Sequence, residues 1–117
     1  AMTDVTGFGL AGHVHEICEA SGLQAEIWQS TIPVYSQARH LSNRGVQSSL
    51  LRANIENAPI VGTIDPLLHD PQTAGGLLAA LSPDAASTAL SNLASHGRKG
   101  WIIGRLSKGS GAIRVYE

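Results

Sequence analysis

Thr3-Asp4-Val5-Thr6-Gly7-Phe8-Gly9-Leu10 is the stretch around which the rest of the chain reads as a scaffold. It places one carboxylate, two hydroxyls and two glycines directly ahead of a helical pattern. Backbone N–H groups at a helix start form an electropositive end that accepts anions. Gly7 and Gly9 carry no side chain to keep a ligand or another backbone away. Asp4 beside such a loop is a natural magnesium ligand, since that ion prefers carboxylate oxygens together with substrate phosphates. The same residues equally suit an ordinary helix start with Thr6 as N-cap, and the pattern alone leaves both readings open.

Working outward, Leu10, Val14, Ile17 and Cys18, with Ala11 beside them, follow the i, i+4, i+7, i+8 spacing of an amphipathic helix. Gly22 suits the left-handed residue that ends it. His13 and His15 read as a solvated polar face, because residues two apart on a helix point in different directions. Cys18 falls on the buried stripe and reads as a small core residue, not a nucleophile. Leu23, Ala25 and Ile27 alternate with Gln24, Glu26 and Trp28, the period of a half-buried strand. A helix follows Pro33 through Val34, Ala38 and Leu41 to Gly45, with His40 on its outer face. Residues 46–64 hold no period; they read as a short helix flanked by loops, and a segment of that length in a small domain is usually functional or covers something.

Asp65-Pro66-Leu67-Leu68-His69 reads as a turn capped by Asp65, and it runs into a second polar and glycine-rich stretch, Asp70-Pro71-Gln72-Thr73-Ala74-Gly75-Gly76. The apolar run Leu77–Leu81 after it predicts a central strand buried on both faces, which would place Asp70, Gln72 and Thr73 at the sheet's edge. The competing reading is a tight turn whose Asp and Thr bond their own backbone. Ser82-Pro83-Asp84 starts a helix with Ala86, Ala89, Leu90, Leu93 and Ala94 as its buried stripe and Gly97 at its end; His96 suits the last turn. Trp101–Leu106 and Ala112–Tyr116 predict a hairpin about the Lys108–Gly111 turn, with Gly104 marking a bulge. The order of elements predicts one α+β domain, a mixed or antiparallel sheet with helices packed on it.

The 117 residues are enough for one compact core. Eight Lys+Arg against nine Asp+Glu, with no basic run, argue against nucleic acid as a partner, and 4% aromatics are too few for a base-stacking platform. No apolar stretch reaches the roughly 20 residues of a membrane span. A single Cys18 forms no internal disulfide, which fits a reducing cytoplasm. The charged fraction of 15% suggests that part of the surface is covered by another domain or subunit.

The two motifs, Thr3–Leu10 continued by Gly12-His13 and Asp70–Leu78, closely resemble the C-terminal domain of selenophosphate synthetase (selenide, water dikinase), within the aminoimidazole-ribonucleotide-synthetase-like superfamily. The resemblance runs from Met2 to the closing hairpin and is weakest over residues 46–64; Ala74 stands where the family commonly has serine. It implies an enzyme that uses ATP and Mg2+ to convert selenide into selenophosphate, releasing AMP and phosphate, as a homodimer. It implies Asp4 as the one metal ligand of this domain, with Gly7 and Gly9 letting the backbone approach the nucleotide and Asp70, Gln72 and Thr73 forming a cleft wall. The ATP site, the other metal ligands and the reactive Cys or selenocysteine would belong to an N-terminal domain outside these residues. On that reading the chain is a domain cut from a longer enzyme and is inactive alone. The rivals are a non-catalytic binding or dimerisation module, and a domain of a thiamine-monophosphate kinase or hydrogenase-maturation dehydratase.

Overall fold

In chain order the elements are β1 (Met2–Asp4), α1 (Gly9–Ser21), β2 (Leu23–Trp28), α2 (Ser36–Asn43), α3 (Leu51–Asn57), β3 (Val61–Gly62), β4 (Leu77–Ala79), α4 (Pro83–Ser95), β5 (Gly104–Lys108) and β6 (Ile113–Tyr116). The computed structural model describes all of residues 1–117. The fold is α+β, as the order of elements predicts, with a four-stranded sheet β3-β6-β2-β5 and a separate two-stranded ribbon β1-β4.

The apolar stripe of α1 sets the core. Ala11, Val14 and Cys18 pack on Ala25 and Ile27 of β2 and Ile113 and Val115 of β6, with Leu68 among them. Gly22 ends the helix in the left-handed conformation, φ 64°. Along β2 the alternation holds: Ala25 and Ile27 are buried, while Glu26 faces out opposite Arg105 and forms an ion pair with it. One face of the sheet therefore carries the core, and the other mixes Gln24, Glu26, Arg105 and Arg114 with Trp28, Val61 and Tyr116.

The predicted hairpin is not formed. β5 pairs antiparallel with one edge of β2, β6 pairs parallel with the other, and β2 lies between them. Residues 109–112 step over the start of β2, a crossing of two strand spacings, about 10 Å. Gly109 donates its N–H to the Gly22 carbonyl on the way, and a Cβ at Gly109 would run into the Gln24 side chain. A turn signal reports that the chain reverses, not whether another strand sits inside the reversal. Trp101–Ile103 precede the strand instead of belonging to it, although the Ile103 carbonyl accepts from Trp28 N–H at 2.8 Å. Gly104 is paired in regular register with Ile27; it marks a close approach, since a Cβ there would lie 2.1 Å from the Glu26 carbonyl oxygen, and not a bulge.

The Leu77–Leu81 run is not a central strand. Only Leu77–Ala79 are extended, they pair only with β1, and Leu77 is 77% exposed. Leu78 alone turns inward against the core. Continuous apolarity cannot say whether the faces of a strand meet their own domain. α4 departs from expectation in the same way. It starts where predicted, with Ser82 Oγ accepting from Ala85 N–H, yet none of its residues is buried. Ala86, Ala89 and Leu90 are half-covered, while Leu93 and Ala94 are exposed. α2 is shorter than predicted: Gln29–Thr31 form their own 3-10 turn, Pro33 and Val34 stay outside, and His40 is exposed as expected. α3 is the short helix of the 46–64 segment, and Asp65 caps the 3-10 turn Pro66–Leu68 by accepting from Leu67 N–H at 3.0 Å.

Candidate functional site

The residues before α1 read as a loop, but Met2–Asp4 form an edge strand. The pairing Met2 with Ala79, Thr3 with Leu78 and Asp4 with Leu77 puts opposite residues on the same face. Thr3 and Leu78 turn inward; Met2, Asp4, Leu77 and Ala79 face out. The Asp4 carboxylate thus stands on an exposed and otherwise apolar face, and no donor of this chain hydrogen-bonds it.

Past Asp4 the chain is stitched to the second motif through main-chain atoms. Val5 N–H donates to Gly76 O at 2.9 Å, Gly75 N–H donates to Val5 O at 3.1 Å, and Gln72 N–H donates to Thr6 O at 3.0 Å. A Cβ at Gly75 would lie 2.3 Å from the Val5 carbonyl oxygen, so this contact requires glycine. The two motifs that stand out in the sequence are therefore neighbours in space. Asp70 is half-buried and accepts from Gln72 Nε2 at 2.8 Å, whereas Thr73 is exposed.

Gly7 and Phe8 are exposed, and their N–H groups meet no acceptor in the chain. Gly7 has open space where a side chain would stand. Gly9 holds φ 72° and is pressed against the neighbouring segment, so that a Cβ would come within 2.6 Å of the His69 main chain. Its freedom is thus used inside the domain, to let α1 start against residue 69.

Thr6 does not cap α1 through its side chain; the N-cap position is Phe8, and it makes no side-chain cap bond. His13 takes part instead, and it is buried at 6% exposure, not on a solvated face. Thr6 N–H donates to His13 Nε2 at 3.1 Å, and the Thr6 hydroxyl lies 3.3 Å from the same nitrogen. An imidazole nitrogen that accepts from a main-chain N–H carries no proton, which places the ring proton on Nδ1. Nδ1 sits 3.3 Å from Glu16 Oε2 but without the alignment of a hydrogen bond. His15 keeps to the helix surface beside Glu19 at 3.4 Å, as the spacing predicts, whereas His13 does not.

The most informative side chain here was not legible in the sequence. Asn54 of α3 is buried, and its Nδ2 donates to Gly7 O and to His69 O, both at 2.9 Å. His69, itself 3% exposed, pairs through Nε2 with the Ala58 carbonyl at 2.7 Å. A lone asparagine in an aperiodic segment carries no local signal when its acceptors lie 47 and 15 residues away. Phe8, Gly12, His15, Glu16, Asn54 and Asn57 flank an open groove of about 200 Å³ beside it. Burial pushes the Cys18 thiol up from its ordinary range, which keeps it un-ionised in the core.

Chemically, this surface offers one free carboxylate and two free main-chain donors. No three His, Cys, Asp or Glu side chains cluster closely enough to hold a metal ion by themselves. Asp4 fits a metal as one ligand among several, not as a site complete in this chain.

The family described as AIR synthase related protein, C-terminal domain, matches residues 1–117. The chain belongs to that family. This AIR synthase related domain is 39% identical to a selenide, water dikinase of Dechloromonas aromatica, over 98% of the chain and 36% of that protein. It is 38% identical to the selenide, water dikinase of Cronobacter sakazakii, over the whole chain and 35% of that protein. The crystal structure of E. coli HypE, a hydrogenase maturation protein, shares the fold with a TM-score of 0.69 at 25% identity, covering all of the chain and 31% of HypE. The resemblance drawn from the two motifs thus extends along the entire domain, which spans about a third of the length of the curated relatives it matches. No helix is long and apolar enough to cross a membrane.

Proposed function

We propose that this domain is the C-terminal part of a selenophosphate synthetase, working with an N-terminal ATP-binding domain in a cytoplasmic homodimer that converts ATP, selenide and water into selenophosphate, AMP and phosphate. The observation that carries the reading is the position of Asp4: exposed, unpartnered, and next to the loop whose Gly7 and Phe8 N–H groups are free. Asp4 would supply one oxygen to Mg2+, a metal whose part in such chemistry is to neutralise phosphate charge during transfer. Gly7 leaves room for a phosphate to approach the main chain, and Asp70, Gln72 and Thr73 form the neighbouring wall. A hydrogenase-maturation role is the second reading, favoured by the shared fold with HypE, and it stands below the first because the identity is lower.

One carboxylate cannot fix an octahedral cation, so the domain alone binds Mg·ATP no tighter than the millimolar range and shows no turnover. Calorimetry with ATP and MgCl2 tests this, and micromolar affinity for the 117-residue chain would overturn it. In the full-length enzyme, Asp4→Ala lowers selenide-dependent ATP turnover by about 100-fold, of the order of removing a charge-stabilising group; unchanged turnover removes Asp4 from the site.

A further inference from the structure

We infer that Asn54 is a positioning residue that sets the gap between the Gly7 loop and the Asp70 segment. The inference rests on the proposed role of the Asp4–Gly9 loop. Its two amide hydrogens are shared out between two carbonyls that belong to the two motifs, Gly7 O on one side and His69 O on the other, each at 2.9 Å. Gly7 is the residue whose N–H and open flank would face the ligand in the proposed function, and His69 directly precedes Asp70. Asn54 is 6% exposed and its bond to His69 O is buried, so losing that bond would leave a buried acceptor unmet, while the bond to Gly7 O reaches out to the partly exposed loop.

The remaining ties between the motifs run through Val5, Thr6 and Gly9 and do not fix the Gly7 carbonyl. Without Asn54 only the turn bond from Gly9 N–H to Thr6 O, at 3.0 Å, spans the peptide joining Gly7 to Phe8, and its reorientation would carry the Phe8 N–H away from the direction that α1 gives it. α3 is therefore more than a cover over the core: it delivers a two-pronged donor from a part of the chain with no motif of its own. His69 holds α3 in turn through the Ala58 carbonyl, closing a loop of bonds around the same segment.

The test uses the full-length enzyme that carries this domain, with Asn54→Asp and Asn54→Ser compared with Asp4→Asn. Asn54→Asp keeps the shape but offers no donor, and Asn54→Ser keeps one donor at shorter reach. The half-saturating Mg·ATP concentration is read at a temperature well below each variant's melting point, so that only folded enzyme is measured. Both Asn54 variants are expected to raise it about tenfold, and the double variant Asn54→Ser with Asp4→Asn is expected to fall short of the product of the single effects, because both act on one loop. If Asp4→Asn shifts the half-saturation and folded Asn54→Ser does not, the positioning role is overturned and the functional reading stands. If Asp4→Asn shifts nothing, the functional reading fails and the inference with it. Should Asn54→Asp not fold, Asn54→Ser decides alone, and a lowered melting temperature with unchanged half-saturation reduces Asn54 to a structural residue.

Discussion

At the scale of single residues, the glycines of the first motif divide into two kinds that look alike in sequence. Gly9 is bound by its positive φ and by the His69 main chain lying where a Cβ would stand, whereas a Cβ at Gly7 would meet nothing within 4 Å. Gly9→Ala is expected to cost about 3 kcal/mol of stability, from a left-handed alanine and from overpacking together. Gly7→Ala is expected to change it by no more than about 0.5 kcal/mol. Urea unfolding of the two variants checks this, and equal losses would contradict the assignment. The sequence shows that both positions are permissive but not what uses the permission, because the answer lies in a segment some 60 residues on. His13 teaches the same lesson in reverse. Its spacing from His15 correctly separates the two rings, yet nothing in that spacing tells which ring turns under the Thr6 main chain and which stays on the surface.

At the scale of elements, legibility followed local patterning. α1, β2, the Asp65 cap and the start of α4 were readable because caps, periods and left-handed glycines are local. The partners of β4, β5 and β6 were not, because pairing is settled by which edges are left free. Asp65 shows how a local signal gains a non-local role. Beyond capping its own turn, its buried carboxylate accepts from Gln29 Nε2 at 2.6 Å and pairs with Arg39 Nη1 at 2.7 Å, tying α2 and the 3-10 turn of residues 29–31 to the segment that leads into the site. Asp65→Ala removes the acceptor for three donors at once and is expected to destabilise the domain by about 3 kcal/mol. Breaking the exposed Glu26–Arg105 pair by Arg105→Ala is expected to cost far less than Asp65→Ala, although the hydrogen bond to Glu26 and its charge raise the Arg105 guanidinium pKa. Thermal or denaturant melts of the two variants check the order, and a costlier Arg105→Ala would reverse it.

At the scale of the whole molecule, only 17 of 117 residues are buried, and Met2, Leu77, Leu81, Trp101 and Ile102 are all about half exposed or more. The low charged fraction suggests a surface that another domain or subunit covers, and the ribbon of β1 and β4 is one place where apolar side chains stand exposed. Leu77→Lys is expected to leave the denaturant midpoint of this chain almost unchanged, within about 0.5 kcal/mol, while lowering that of a full-length protein in which the ribbon meets a neighbouring domain. A midpoint that Leu77→Lys leaves unchanged in both settings would show that the ribbon stays in water.

The place of β6 also carries a kinetic consequence. The last strand of the domain to be synthesised is inserted between two earlier ones, with Ile113 and Val115 each 2% exposed at the middle of the sheet. During translation β2 and β3 emerge with a gap between them that only the closing residues can fill, and such non-local pairing is intrinsically slow. Folding of this domain therefore waits until Ile113–Tyr116 have been made, and a nascent chain stalled just short of Ile113 would hold a helix with half of its platform missing.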